Sequence, residues 1–430
     1  MLYARKVRDE LDRRRDQLAA YQDHYGSQLA AYRAALAALG ARFPSASALS
    51  AAQRALHADQ DAARATGAQP TAEYDAWLTV GSGGHGLPAL PFGRKFAHHE
   101  EARAWAECLR GTTTFAVDGS QLLPWRDASM PVALVQAGLF ENPHAPAPRY
   151  VKDVETELVL PEDLLGGEPD ALDARNGEAF GYSTAVVHLR RYQLEVRTIV
   201  ARMRHHALLR ERGAASGPVV AFFDGSLIVS FALKMAPQYR EPYVAAALRL
   251  LRASEEYQVP LVAYIDTSYA RDIVTMLGAL APATDGGTGT LPETRGVHDA
   301  LLWQGHMQWG DRTPAFLSAR DDLTRMGYGE QADEVAFVYF QASTDRPPAR
   351  LELPRWVLDA GLLDDVMRAV RAETIAGNGY PYPIESADAV AVISAPDRAQ
   401  FYALLQDFAA DAGLALSFSR KALSKNRRRV

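Results

Sequence analysis

The sequence predicts an α/β protein: a mixed sheet flanked by helices, preceded by an N-terminal helical arm. Three observations lead there. Residues 1–80 are dominated by Ala, Leu, Arg, Gln and Glu, with apolar residues at helical spacing between Leu29 and Leu39. From Thr112 onward, strand-like and helix-like runs alternate, the mark of a sheet covered by helices. Two of the strand-like runs end alike, in Asp118-Gly119-Ser120 and in Asp224-Gly225-Ser226.

Within the arm, Pro44 and the segment Ser45-Ala46-Ser47-Ala48 break the helix in two. The product is a helical hairpin, a dimer arm or a cover on the core. A glycine-rich loop follows at 81–88, but no Gly-Lys-Ser/Thr comes after it, so it is not a Walker phosphate loop. Strands are expected at 113–117, 131–140 and 151–160, the third half-exposed because charged residues interleave with Val151, Val154, Leu158 and Leu160. A long helix is expected at 184–212, with Leu189, Tyr192, Val196, Ile199 and Met203 on one face. A strand at 219–223, a helix at 233–254 and a strand at 259–265 come next, then a Gly/Thr/Pro-rich loop at 284–296. Later strands are expected at 336–340 and 391–393, and helices near 362–371 and 398–410.

Three antiparallel strands, a helix and a parallel fourth strand open the ribonuclease-H-like fold. In that layout the first and fourth strands lie side by side. Asp118 and Asp224 would then meet, although more than a hundred residues separate them. The expected organisation is an arm or hairpin at 1–80, a linker and helix at 81–110, the α/β domain at 111–415 and a basic tail at 416–430.

Composition narrows the classes. The chain of 430 residues is 48% apolar, enough for a sizeable core. Its one cysteine, Cys108, excludes a disulfide framework and a Cys-based zinc site and fits a reducing, cytoplasmic setting. The amino terminus is charged and lacks the apolar core of a signal peptide, and no run approaches the ~20 apolar residues of a membrane span. A net charge of −6 does not by itself mark a nucleic-acid binder. The basic stretch at 419–430 could touch phosphates, and a solvated end is as good a reading.

An aspartate at the carboxyl end of a strand is held in a fixed place, and ligand sites in open α/β sheets lie outside those ends. Asp-Gly is also a strong hairpin signal. Here, however, both motifs run on into apolar residues, Leu122-Leu123 and Leu227-Ile228-Val229. On the intervening helix the acidic candidates are Glu195 and Glu211, of which Glu195 lies amid the apolar face. A surface ion pair with Arg191, four residues away, competes for it. Three such carboxylates could hold two divalent ions about 4 Å apart. Mn²⁺ or Mg²⁺ suits oxygen donors. The pairs His98-His99 and His205-His206 lack zinc spacing and read as solvated or helix-surface residues. Asp266 ends a third strand-like run, where capping of the following helix with Thr267 and Ser268 is the simpler role. Ser120, Arg271 and Arg320 are candidate nucleic-acid contacts, with ordinary surface pairing equally open to the two arginines.

Taken in order, the two Asp-Gly-Ser strands, the helical Glu195 and the late segment Asn378-Gly379-Tyr380-Pro381-Tyr382-Pro383 resemble NurA-type nucleases. Arg350-Leu351-Glu352-Leu353-Pro354 and Ala263-Tyr264-Ile265 add to the likeness, which runs from about 110 to 410. The resemblance implies a homodimer that cleaves DNA with Mn²⁺ as 5′-to-3′ exonuclease and single-strand endonuclease. It also implies a partner, the hexameric HerA ATPase, in DNA end resection. By motif match Asp118, Glu195 and Asp224 would be metal ligands and Tyr380 an active-site tyrosine. Eight residues beyond that tyrosine the family usually has a histidine, where this chain has Asp388. An aspartate there can bind a metal but cannot act as a neutral imidazole base. A non-catalytic assembly subunit of such a translocase and a metal-dependent phosphatase are the alternatives.

Overall fold

The computed structural model describes residues 2–58, 66–80, 86–125, 128–146, 149–165, 183–214, 217–281, 291, 296–320, 323, 327–329 and 334–417. The basic stretch at 419–430 and most of the two glycine-rich loops lie outside these residues. Nine strands occur among them: β1 Gly67–Pro70, β2 Thr113–Leu122, β3 Ala133–Asn142, β4 Val151–Val159, β5 Val219–Asp224, β6 Leu261–Ile265, β7 Phe316–Ala319, β8 Val335–Phe340 and β9 Ala349–Pro354. They belong to a mixed sheet flanked by helices. The chain divides into two compact units, one of residues 1–95, 265–321 and 336–351, the other of 96–264, 322–335 and 352–430.

The second unit carries the strand order β6-β5-β2-β3-β4, with the Glu352–Pro354 half of β9 beyond β6. β2, β3 and β4 are antiparallel neighbours, whereas β2–β5 and β5–β6 are parallel. This is the expected opening: three antiparallel strands, the helix Thr184–Glu211, then a parallel strand. Phe115, Val117, Ala221 and Phe223 point to one face and form a core with Tyr192, Val196, Ile199 and Met203 of that helix. The helix Pro237–Glu256 starts with proline in its first turn, where a missing N–H costs nothing, and adds Tyr243, Ala247 and Leu250. The opposite face is covered by the helix Tyr382–Ala391. Gly138 on β3 admits that helix, since a Cβ there would stand 2.6 Å from the backbone nitrogen of Ala391.

The first unit pairs β1 with β7 and β7 with β8, all antiparallel. Its core joins Tyr32 and Leu36 of the helix Arg15–Ala37 to Trp303, Phe337 and Tyr339. At its centre the fully buried Arg350 meets Asp272 at 3.1 Å and stacks over the Phe337 ring. The first helix, Ala4–Arg13, buries none of its residues.

Three expectations are corrected. β2 does not stop at Val117 but continues to Leu122, because its antiparallel partner β3 carries the ladder on after the parallel partner β5 has ended. Residues 391–393 are not a strand: Ala391 closes a helix, and a three-residue apolar run does not carry enough period to tell the two apart. His206 is not a surface residue but is buried, 2.7 Å from Glu141. Strands β1, β7 and β9 were not expected, and among the described residues no helix is long and apolar enough to cross a membrane.

Candidate active site

Asp118 and Asp224 are brought together by strand register. Val117 pairs with Phe223 across the parallel β2–β5 ladder, and each aspartate follows its partner by one residue. Their backbones therefore run side by side at about the 4.8 Å spacing of neighbouring strands. Side chains alternate faces, so both aspartates leave the face used by Val117 and Phe223 and point toward the helix Tyr382–Ala391. Asp388 of that helix stands close enough to Asp118 to raise its carboxyl. The helix is anchored beside them by its last carbonyl, on Ala391, which accepts from Ser120 Oγ and, at 3.0 Å, from Gln136 Nε2.

Tyr380 joins from the turn before the same helix. Asn378 and Gly379 both take positive φ, 53° and 109°, which swings the chain back toward the strands. Tyr380 Oη then donates to Asp224 Oδ1 at 3.0 Å, and its ring meets the buried Tyr264 edge-on at 5.1 Å.

The two Asp-Gly-Ser motifs need glycine for different reasons. Gly225 has φ +115°, a conformation that side chains disfavour. The turn it makes is fixed by buried Glu352, whose Oε2 accepts from Ser226 Oγ and Leu227 N at 2.8 Å each. Gly119 has ordinary strand geometry, but a Cβ would fall 2.0 Å from Glu195 Oε1. Glu195 thus lies directly on β2, reaching the site from the face opposite the aspartates.

Glu195 is buried, its side chain 7% exposed, with Oε1 2.9 Å from Arg191 Nη1. The pair lacks hydrogen-bond alignment, leaving Oε1 without a hydrogen bond, while Arg191 Nη1 donates to the Gly119 carbonyl at 3.1 Å. Glu195 makes the ion pair with Arg191, in the interior and not on the helix surface, and also lies beside the aspartates. Burial lifts its carboxyl to about 7, against the Arg191 cation and with the help of Asp118 and Asp224. Burial also lifts Asp118 to about 6, opposed by the Gly119 N–H and reinforced by Asp224 and Asp388. A donor set made only of oxygens, crowded enough to resist ionisation and including a buried oxygen without a hydrogen bond, fits a hard divalent cation. The carboxylates approach from two faces, and among the described residues no group of three or more His, Cys, Asp or Glu stands ready-made to hold a metal ion.

The other candidates have other partners or belong to the first unit. Glu211 ends its helix, away from the Glu195 turn. Asp266 lies in the first unit, 4.0 Å from Arg346, and the helix Asp272–Leu280 is capped instead by Asp299, which accepts from Ile273 N and Val274 N. Arg271 and Arg320 also belong to the first unit. Ser120 serves the Ala391 carbonyl. Sequence reasoning passed over Glu352 and Gly138 as site-builders, and over the cleft of about 530 Å³ beside the carboxylates, lined by Asp118, His188, Arg191, Glu195, Phe231 and Tyr243 among others. A lone Glu in a β9-type run and a glycine inside a strand signal close packing, but neither says against what.

Solved structures resemble the chain, three of them with these values. They are described as "Crystal structure of NurA" (TM-score 0.37, 10% identity, 69% of this chain and 89% of that one), "Crystal structure of NurA with manganese" (0.34, 9%, 84% and 96%) and "Crystal structure of NurA bound to dAMP and manganese" (0.33, 11%, 66% and 85%). No curated protein matches. Residues 112–393, well over half of the chain and spanning every carboxylate of the site, match the NurA domain, and the chain belongs to the NurA family.

Proposed function

We propose that the protein is a divalent-metal-dependent deoxyribonuclease that hydrolyses phosphodiester bonds as a 5′-to-3′ exonuclease and single-strand endonuclease. The observation that carries this reading is the meeting of Asp118, Asp224 and Asp388 at the end of the parallel β2–β5 ladder, with Glu195 lying on Gly119 behind them. Family membership supports it.

Asp118, Glu195, Asp224 and Asp388 would hold Mn²⁺ or Mg²⁺, two ions in the full site. Ions bound there supply Lewis acidity and an activated water for in-line displacement at phosphorus. The remaining work falls to the protein's own groups. Tyr380 Oη fixes the orientation of the Asp224 carboxylate. Burial, Asp224 and Asp388 hold the Asp118 carboxyl up, so its proton must leave before it can act as a ligand. Asp388 takes the place of the family's usual histidine and offers a carboxylate instead of an imidazole. In the same reading the chain works as a homodimer with a HerA-type hexameric ATPase in DNA end resection, in the cytoplasm.

The test uses single- and double-stranded DNA labelled at either end, with Mn²⁺, Mg²⁺ or EDTA. Metal-dependent cleavage is expected, lost at least about 100-fold in Asp118→Asn and Asp224→Asn with unchanged melting. Wild-type cleavage by both variants would sink the reading. Co-elution with a HerA-type ATPase and light scattering test the assembly.

A further inference from the structure

We propose that Arg191 is a phosphate-binding residue of this site, kept in reserve by Glu195 until a cation takes that carboxylate. The proposal rests on the nuclease reading and goes beyond it in assigning a role to a residue outside the carboxylate set.

Four observations carry it. Among the described residues lining the cleft, Arg191 is the one lysine or arginine. Its Nε is buried without a hydrogen-bond partner. Its Nη1 is divided between the Gly119 carbonyl at 3.1 Å and Glu195 Oε1 at 2.9 Å, the latter contact misaligned for a hydrogen bond. The side chain is 31% exposed, against 7% for its carboxylate partner, so of these two lining groups the cation is the more open to the cleft. A guanidinium with an unused donor in this cleft is a group that recognises a phosphate oxyanion.

The exchange follows from charge. While Glu195 is engaged with Arg191, the two neutralise one another. A cation drawing Glu195 toward Asp118 and Asp224 removes that neutralisation and leaves Arg191 held by Gly119 alone. A phosphodiester oxygen entering the cleft restores it. The apolar wall of Phe231 and Tyr243 accommodates the sugar and base attached to that phosphate.

The experiment measures calorimetric binding of thymidine 5′-monophosphate and of thymidine to the full chain in Mn²⁺, and of Mn²⁺ alone. Wild type is expected to prefer the monophosphate. Arg191→Gln should lose at least tenfold in monophosphate affinity, leave thymidine unchanged, and bind Mn²⁺ as well as wild type or better. Arg191→Lys should retain an intermediate affinity, and serves as the test if the glutamine variant melts early. Equal monophosphate affinity in wild type and Arg191→Gln overturns the proposal. So does a parallel loss of Mn²⁺ affinity, which would make Arg191 a support for Glu195 only. If the monophosphate needs Arg191 but no DNA is cut, the nuclease reading fails and this assignment stands. If DNA is cut and monophosphate affinity ignores Arg191, the reverse holds.

Discussion

Tyr380 Oη and Asp224 Oδ1, at 3.0 Å, tie the last described turn before the Tyr382–Ala391 helix to the end of β5. A hydrogen bond to a charged partner contributes about 1.5–3 kcal/mol. Tyr380→Phe keeps the ring on Tyr264 and removes the bond to Asp224. DNA cleavage should slow by about 10- to 100-fold with little change in melting temperature. Undiminished cleavage in steady-state assays would remove Tyr380 from the site.

Gly119→Ala should cost about 1–3 kcal/mol in urea denaturation, because the new Cβ collides with Glu195 Oε1. The double variant with Glu195→Ala should recover part of that loss, a non-additivity that a double-mutant cycle reads directly. Strict additivity would mean that the two residues do not share space in solution.

The raised carboxyls predict a pH effect of definite sign. Burial first, then Asp118 and Asp224, place Glu195 at about 7 in the fold from 4.5 as a free side chain. The folded state therefore binds the proton more tightly than the unfolded chain. Its stabilising effect is complete below about pH 4.5 and is lost as pH rises through about 7, on the order of 3 kcal/mol in all. Asp118 acts in the same direction between its ordinary 3.8 and about 6. Metal-free protein should thus lose urea resistance from pH 5 to 8, and Glu195→Gln should flatten the curve. Mn²⁺ affinity should climb over the same interval, since ligation needs the anions. A pH-independent affinity would contradict both shifts.

Acid should strike a different place. Burial opposes ionisation of Glu141, but His206 and Arg202 outweigh it and bring its carboxyl down to about 2. This group's contribution is present above its ordinary 4.5 and is lost as pH falls toward 2. Glu141→Gln should destabilise the fold by about 3–5 kcal/mol at pH 7, because Arg202 and His206 lose their partner in the interior. A change below 1 kcal/mol in denaturant titration would show that water already reaches the cluster.

What the sequence made legible was the part governed by local pattern. The run of strands, the helix Thr184–Glu211 and the side-by-side placement of Asp118 and Asp224 all follow from period and order. Glu195 was legible as one of two acids on a helix, and its apolar neighbours Leu194 and Val196 favoured it. The rest depends on partners distant along the chain. Nothing near residue 118 announces that β2 continues to Leu122; that is decided by β3. The short strands β1 and β7 contain too few residues for alternation to be read. His206 looked solvent-facing until Glu141, from a strand far upstream, was placed against it.

Residues 119 and 195 constrain one another across time as well as space. With the carboxylate resting where a methyl would go, any side chain at position 119 must displace the acid while it is kept. Drift enlarges one at a cost in stability unless it first shrinks the other. Shrinking the other forfeits a ligand if the site is as proposed. Descendants of this chain should therefore hold both residues or lose both together, and a lineage that has abandoned the chemistry would betray itself by a bulkier residue after its first aspartate.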